Sequence, residues 1–288
     1  MLDIRLTCQP GDPGRPNEDG VVAAPGLLAV LDGVTAPDGV DTGCVHDPAW
    51  YVRRLAAHLT SGHLAAPGRE LAELVADAIA AVREEHGGTC DPDNPYGPQS
   101  TLAVLRTGPD RCEYLLLGDS TILLDRDGRV EAVTDERSHA VARRVRPTAP
   151  DRTIPIGSRE HAERNRAGVL ALRQHANRPG GYWVAAGDPA AAHNAVRGSV
   201  PRTGPGGLTR AALLTDGASC VVDRYDRVDW PGLLDLVESK GAHEVVALAR
   251  AAERDDPDGL RWPRPKRHDD ATVAYCRLAA LVDGFIPQ

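Results

Sequence analysis

Four short apolar runs in this chain meet an aspartate at their end. They are Val30-Leu31-Asp32-Gly33, Leu117-Gly118-Asp119-Ser120, Leu214-Thr215-Asp216-Gly217 and, just ahead of a run, His268-Asp269-Asp270-Ala271-Thr272. A short apolar run bounded by turn residues reads as a buried strand. Any fold that assembles such strands into sheets therefore gathers carboxylates at the strand ends. A fifth acidic pair, in Asn17-Glu18-Asp19, precedes the first run. Clustered carboxylates repel one another and persist only with raised pKa values or with cations between them. Oxygen donors without His or Cys point to Mg2+ or Mn2+ over zinc. The glycine after Asp32 and Asp216 lets the backbone approach an ion closely enough for its carbonyl to serve as a ligand.

Taken singly, Asp-Gly is first of all a turn signal. Asp38-Gly39, Asp127-Gly128 and Asp258-Gly259 lie in polar loop or hairpin contexts and read as turns. The strand-end aspartates differ in their number and their common placement.

Around them the pattern predicts an α+β element order. Residues 2–7 alternate as a half-buried strand does, and 26–32 form an apolar strand that delivers Asp32 to a loop. Asp47 and Pro48 open a helix carrying Tyr51, Leu55 and Leu59, and 69–86 form a second with Leu71, Leu74, Val75, Ala78, Ile79 and Val82 on one face. Runs at 101–106, 112–118, 121–125 and 129–133, joined by Gly108-Pro109-Asp110 and Asp127-Gly128, predict an antiparallel meander. The Arg-, Ala-, Pro- and Gly-rich stretch 136–207 yields little beyond a helix at 159–174. A strand at 211–215, a helical pair within 231–254 and a last strand at 271–278 follow. Strands and helices in blocks suggest one α+β domain, not a repeated βαβ pattern.

Composition narrows the function. With 288 residues, 42% hydrophobic and 26% charged, the chain is an ordinary globular protein able to bury a large core. A formal net charge of −8 argues against a sequence-independent nucleic-acid binder. It also means that an anionic substrate must be met by metal or by a local arginine. The six cysteines contain no C-x-x-C pair, so neither a structural zinc site nor disulfides are expected. No run approaches the ~20 apolar residues of a membrane span, and residues 1–10 carry no leader pattern. The expectation is a reduced cytoplasmic protein with no membrane or nucleic-acid partner and an oligomeric state left open.

Taken in order, Arg15-Pro16-Asn17-Glu18-Asp19, Leu31-Asp32-Gly33, Ser100-Thr101, Leu117-Gly118-Asp119-Ser120, Thr215-Asp216-Gly217 and Asp269-Asp270-Ala271-Thr272 resemble the motifs of the metal-dependent serine/threonine protein phosphatases. That is the protein phosphatase 2C family, here in a divergent bacterial-type form. The motifs run almost end to end, so the resemblance covers 1–288 as a single domain. It implies a four-layer α-β-β-α sandwich, two antiparallel sheets flanked by helix pairs. Carried over by position, Asp32 bridges two Mn2+ or Mg2+ ions, with the Gly33 carbonyl as a further ligand. Asp216 and Asp269 hold one of those ions, and Asp119 matches a ligand of a third, weaker one. Glu18 and Asp19 sit near the second, directly or through water. Arg15 resembles the phosphate-binding arginine, with a spacing one residue short. The implied reaction is in-line attack on a phosphoserine or phosphothreonine of a protein by a water activated between the ions.

The chain also departs from that pattern. Val34-Thr35-Ala36-Pro37 replaces a small, glycine-rich continuation, and Val34 stands where some members carry a general-acid histidine. Cys220 stands where an aspartate often helps hold the third metal. Two rivals follow: a binding module that keeps the fold without the chemistry, and a phosphatase of phosphorylated small molecules reshaped by 136–207. Elsewhere, Thr42-Gly43-Cys44-Val45-His46 lies near a helix start, where a thiol pKa can fall, and offers a Cys/His pair or a proton donor. Its plainer reading is a loop with a small buried Cys. The basic stretch 261–268 reads as a solvated loop, with phosphate steering as the alternative. Gly180-Gly181-Tyr182-Trp183 reads as core more than as a substrate groove.

Overall fold

The apolar runs form ten strands in a computed structural model that describes residues 3–145 and 151–278. One antiparallel sheet has the order β2 (Asp19–Ala24), β3 (Leu27–Val34), β4 (Gln99–Thr107), β5 (Arg111–Leu117), β8 (Val196–Pro201). The other has the order β1 (Asp3–Gln9), β10 (Ala271–Arg277), β9 (Leu208–Leu214), β6 (Thr121–Arg126), β7 (Arg129–Thr134). Their facing sides share a core containing Val30, Leu105, Leu116, Ile122, Leu213 and Ala274. The helices α1 (Pro48–Ala65) and α2 (Leu71–Glu85) cover the first sheet through Leu55, Leu59, Leu74 and Ile79. On the second sheet lie α5 (Asp216–Asp223), α6 (Trp230–Lys240) and α7 (His243–Asp255), through Val221, Leu234 and Val246. The result is the four-layer α-β-β-α sandwich. It explains why β3 and β4 read as continuous apolar runs: each is covered on both faces.

Local chemistry sets the helix starts. Asp47 accepts from the Trp50 amide ahead of Pro48, and Asp229 accepts from the Gly232 amide ahead of α6. Among the described residues no helix is long and apolar enough to cross a membrane.

Several expectations change. The middle of the chain is not one meander: β4 and β5 pair in the first sheet, β6 and β7 in the second, and the chain crosses between sheets at Gly118-Asp119-Ser120. Periodicity identifies strands but not the sheet each one joins. Asp32 and Gly33 lie inside β3, paired with Asp19 or Thr101 and with Ser100, instead of in a loop. Asp216-Gly217 opens helix α5 and is no turn. Strands β2 and β8 and the helix α3 (Arg137–Val145) were not anticipated. Leu2, expected in the first strand, lies outside the described residues, as do 146–150 of the 136–207 stretch.

α3 and α4 (Arg159–Arg173) pack together beside the sandwich, where Tyr182 joins Val141 and Val184 in a small core of its own. Trp183 packs against the first sheet's helix layer, so the aromatic pair serves the core as expected. The fastener is Arg173, 1% exposed at the end of α4. Its guanidinium donates to the carbonyl oxygens of Tyr96 at 3.1 Å and Gly97 at 2.8 Å, and to the Gln99 side chain at 3.4 Å. Burial among these neutral acceptors pulls its pKa down to about 10. Arg173→Ala leaves buried carbonyls without donors and is expected to destabilise the fold by about 2–4 kcal/mol, read by urea unfolding. An unchanged midpoint would mean that this anchor contributes nothing.

Candidate functional site

The strand register puts the first acids side by side. Asp19 of β2 pairs with Asp32 of β3, which pairs with Thr101 of β4. Across the sandwich, β9 ends just before Thr215-Asp216, and β10 begins just after Asp269-Asp270. These two ends are locked together: the Thr215 amide donates to the Thr272 carbonyl at 3.1 Å, and the Thr272 amide donates to the Thr215 hydroxyl at 2.9 Å. Both hydroxyls then donate to Asp19 Oδ2, at 2.8 and 2.7 Å. One carboxylate of the first sheet thus ties down two strand ends of the second. Asp19 Oδ1 is buried with no hydrogen-bond partner among the described residues. A buried acceptor of that kind is completed by a cation or an ordered water.

Asp270 holds the loop that carries Glu18. Its carboxylate accepts from the Gly11 amide and the Glu18 amide, both at 2.7 Å. Next to it, the Gly33 amide donates to the Glu18 carbonyl at 3.0 Å, and a Cβ at position 33 would lie 2.7 Å from that oxygen. A Cβ at position 217 would lie 2.0 Å from the Asp270 carbonyl oxygen. Glycine is required at both places because backbone meets backbone there.

The electrostatics confirm that these acids feel one another. Burial first, then Asp19, Asp216 and Asp269, push the Asp32 carboxyl well above the usual range. Asp19 is pushed the same way by burial, against the opposing bonds from Thr272 and Thr215. Asp216 is raised to about 7 by burial, Asp269 and Asp119. Glu18 is raised by burial, while the Thr35 hydroxyl donates to its carboxylate and opposes the shift. A set like this does not ionise fully at neutral pH without positive charge inside it. Lys266 supplies some: its ammonium lies 2.8 Å from Asp269 Oδ1 and also favours the charged forms of Asp32, Asp216 and Glu18. Desolvation opposes charging Lys266, but Asp269, Asp32 and Asp216 outweigh it and raise its pKa.

At the crossing between sheets, Asp119 Oδ2 accepts from the Ser138 hydroxyl at 3.1 Å and lies 3.7 Å from His139 Nε2. With Asp216 it lines a cleft that also includes His139, Ser219, Asp223 and Arg224. Cys220 is turned away into the core, 1% exposed, with its thiol donating to the Gly217 carbonyl at 3.2 Å. Asp223, which accepts from the Ser219 hydroxyl at 3.0 Å, offers this cleft a carboxylate instead. Arg15 is exposed, and its charge favours the ionised Glu18. Among the described residues no hydrogen bond fixes its guanidinium.

Asp19, Asp32, Asp119, Asp216 and Asp269 therefore act on one another, with Glu18, Gly33 and Arg15 around them. Sequence reasoning gave no role to Asp270, Lys266 or the two threonine hydroxyls; Asp270, Thr215 and Thr272 lay inside quoted motifs, whereas Lys266 carried no signal beyond its basic loop. The lowering of the Cys44 thiol that a helix start can give does not occur: burial, then Cys90, push it up to about 11, because desolvation is the larger effect here.

Removing the Asp270 carboxylate strips the acceptor from two backbone amides. Asp270→Ala is expected to destabilise by about 1–3 kcal/mol and to speed hydrogen exchange at the Gly11 and Glu18 amides, with Asp270→Asn milder. Unaltered exchange at both amides would show that the loop is held by other contacts.

Comparison with known proteins follows the same lines. The family model described as protein phosphatase 2C matches residues 13–243. Among curated proteins no sequence matches the chain. Among solved structures, the chain is similar to the serine/threonine phosphatase PstP/Ppp of Mycobacterium tuberculosis, with a TM-score of 0.58 and 19% identity over 97% of this chain and 99% of that one. The PstP catalytic domain in complex with two manganese ions gives 0.57 and 19%, covering 96% and 97%. Serine/threonine phosphatase Stp1 of Staphylococcus aureus gives 0.57 and 14%, covering 97% and 96%. These identities speak for the fold alone, whereas the family match spans most of the chain: it belongs to the protein phosphatase 2C family.

Proposed function

We propose that the protein hydrolyses phosphoserine and phosphothreonine in phosphorylated proteins, using two Mn2+ or Mg2+ ions held in the aspartate cluster. The observation that carries this reading is Asp32, pressed on by Asp19, Asp216 and Asp269, beside a buried Asp19 oxygen that lacks any partner. The donor set is all oxygen, which suits hard divalent cations. In this reading Asp32 would serve both ions, with the Gly33 carbonyl as a further ligand; Asp216 and Asp269 would hold one, and Glu18 and Asp19 the other, directly or through water. Asp119, with Asp223 in place of a donor at Cys220, serves a weaker third position. The phosphatase domain takes in the whole chain, 1–288, and six free cysteines suit a reducing cytoplasm.

When bound, such ions supply a water of lowered pKa and positive charge for the phosphoryl oxygens. The chain's own groups do the rest. Asp270 and Thr35 hold Glu18 in place, and the hydroxyls of Thr215 and Thr272 hold Asp19. Arg15, free to swing, and Lys266, already at the cluster, meet the negative charge of the incoming phosphate. Val34 carries no proton donor for the leaving serine or threonine oxygen.

Phosphate release from a phosphothreonine peptide is expected to need Mn2+ or Mg2+ and to fall at least about a hundredfold in Asp32→Ala. Turnover of small phosphate esters but not of the peptide would shift the reading to a small-molecule phosphatase. A wild type that is inactive and not stabilised thermally by Mn2+ would leave a binding module. The Lys266 ion pair is the observation that favours that second reading, because it neutralises part of the cluster internally. If Lys266 only competes with the ions, Lys266→Ala is expected to lower the Mn2+ concentration for half-maximal thermal stabilisation by about threefold or more. A raised Mn2+ requirement would show that the ammonium helps to organise the site.

A further inference from the structure

Away from the aspartates, two loops with no apolar core meet. One follows β3 and the other follows α2, and residues 35–47 and 86–98 contribute nothing to any of the buried apolar clusters. At their meeting point stand four side chains from two short segments, Cys44-Val45-His46 and His86-Gly87-Gly88-Thr89-Cys90. The two sulfurs are 3.1 Å apart. Cys44 Sγ lies 3.4 Å from His86 Nδ1 and 3.5 Å from His46 Nδ1, and Cys90 Sγ lies 3.5 Å from His46 Nδ1. All four donor atoms fall within 4.8 Å of one another.

We infer that Cys44, His46, His86 and Cys90 form a tetrahedral structural zinc site, separate from the aspartate cluster. Zn–S bonds of about 2.3 Å and Zn–N bonds of about 2.0–2.1 Å place tetrahedral ligand atoms about 3.3–3.8 Å apart. Three of the four distances above fall in that range. The sulfur pair is shorter and must open by several tenths of an ångström. It is also far longer than a disulfide bond of about 2.05 Å, and both thiols are free.

The surroundings prepare such a site. The His46 amide donates to Cys44 Sγ at 3.3 Å, and the Val45 and His46 amides also serve the Cys90 sulfur. Bonds from amides to sulfur favour the thiolate that a metal needs. The imidazoles are fixed in orientation by packing: His46 stacks on Trp50 with centroids 3.8 Å apart, and His86 leans on the same indole at 4.9 Å. The two segments are already joined, since the Asp91 amide donates to the Gly43 carbonyl at 2.7 Å. Two sulfurs and two imidazole nitrogens suit zinc and exclude Mg2+ or Mn2+ as the natural occupant. On binding, each thiol gives up its proton, two bonds to sulfur form, and the neutral Zn(Cys)2(His)2 unit leaves no net charge. The ion does for these loops what an apolar core does elsewhere.

The test uses the full chain, expressed normally and purified with reductant. Wild type is expected to retain one zinc ion per chain after a wash with a weak chelator, and Cys44→Ser and Cys90→Ser are expected to lose it. Asp32→Ala is expected to keep it, which separates this site from the aspartate cluster. Loaded with Co2+, wild type should show a sulfur-to-cobalt charge-transfer band that all-oxygen donors do not produce. Cys90→His, which keeps four ligands, should retain zinc with a weakened band, so a folding defect in the serine variants would not hide the answer. A strong chelator should lower the wild-type melting temperature. Folded wild type without retained zinc or a cobalt band would overturn the proposal. So would a cobalt band undiminished when Cys44→Ser and Cys90→Ser are combined, or a Cys44–Cys90 disulfide found by mass spectrometry in protein kept under reductant.

Discussion

Bringing carboxylates together is the constraint to which the rest of the structure answers. Asp19, Asp32, Asp216 and Asp269 come from strand ends in two different sheets, and burial and repulsion from neighbouring acids both oppose the charge of Asp19, Asp32 and Asp216. An apolar sandwich alone would push them apart or neutralise them. The chain keeps them with donors placed by backbone geometry. Two threonine hydroxyls converge on one oxygen of Asp19, two amides converge on Asp270, and one ammonium sits on Asp269. These bonds orient the carboxylates at the site end of the sandwich through the chain's own donors. Preorganisation of this kind is what a polar active site needs, since the ordering is complete before substrate binds.

The sandwich in turn explains why such an end can exist. The inner strands of each sheet are buried on both faces, against the other sheet and against its helix layer, so they are fixed in register along their length. A register slip by one residue would turn Asp19 and Asp32 to the opposite face. With one Phe and four Trp, the chain fills these layers with Leu, Val and Ala, whose shapes let the strands carry apolar side chains right up to the acids. The α3–α4 unit is different. It is fastened to the α2–β4 loop by a buried guanidinium that has only neutral acceptors and by Gln174 at the Tyr96 hydroxyl, with Arg166 at the Asp38 carbonyl and His161 at the Arg264 carbonyl, so its attachment is polar.

This division matches what could be read in advance. Asp32, Asp119, Asp216 and Asp269 were legible because a buried strand and the acid that terminates it are adjacent in sequence. The α+β class was legible in the periods of 26–32 and 69–86 and in the short runs within 101–125, whereas the layered sandwich was what the family resemblance implied. What escaped depends on contacts between distant residues. Asp270 looks like a mere neighbour of Asp269 until Gly11 and Glu18 arrive from the other end of the chain. Lys266 sits in a basic loop whose charge looks solvated. The crossing at Asp119 separates two hairpins that periodicity alone runs together. β2 and β8 lack strong apolar runs, and pairing with a neighbour makes them strands.

The cysteines show the same limit most sharply. Counting C-x-x-C pairs tests only for ligands that one short segment supplies, and here each segment supplies one Cys and one His. The packing of α1 against α2, with the Asp91–Gly43 backbone bond, brings residue 44 beside residue 90. Hard and soft donors are thereby kept apart within one chain: oxygens at the strand ends, sulfur and nitrogen in the loops. The two centres are connected through the backbone, because the loop that ends at Cys44 and His46 begins right after β3, which carries Asp32 and Gly33. Thr35 fastens the near end of that loop to Glu18, and a zinc ion would fasten the far end to the α2–β4 loop. The same α2–β4 loop receives Arg173, so the segment after Asp32-Gly33 and the α3–α4 unit are braced against one support. A loop braced at both ends has little freedom to carry the Gly33 carbonyl away from Asp32. This gives the altered sequence Val34-Thr35-Ala36-Pro37 a physical sense: a stiff segment suits a span with two fixed ends better than a glycine-rich one does.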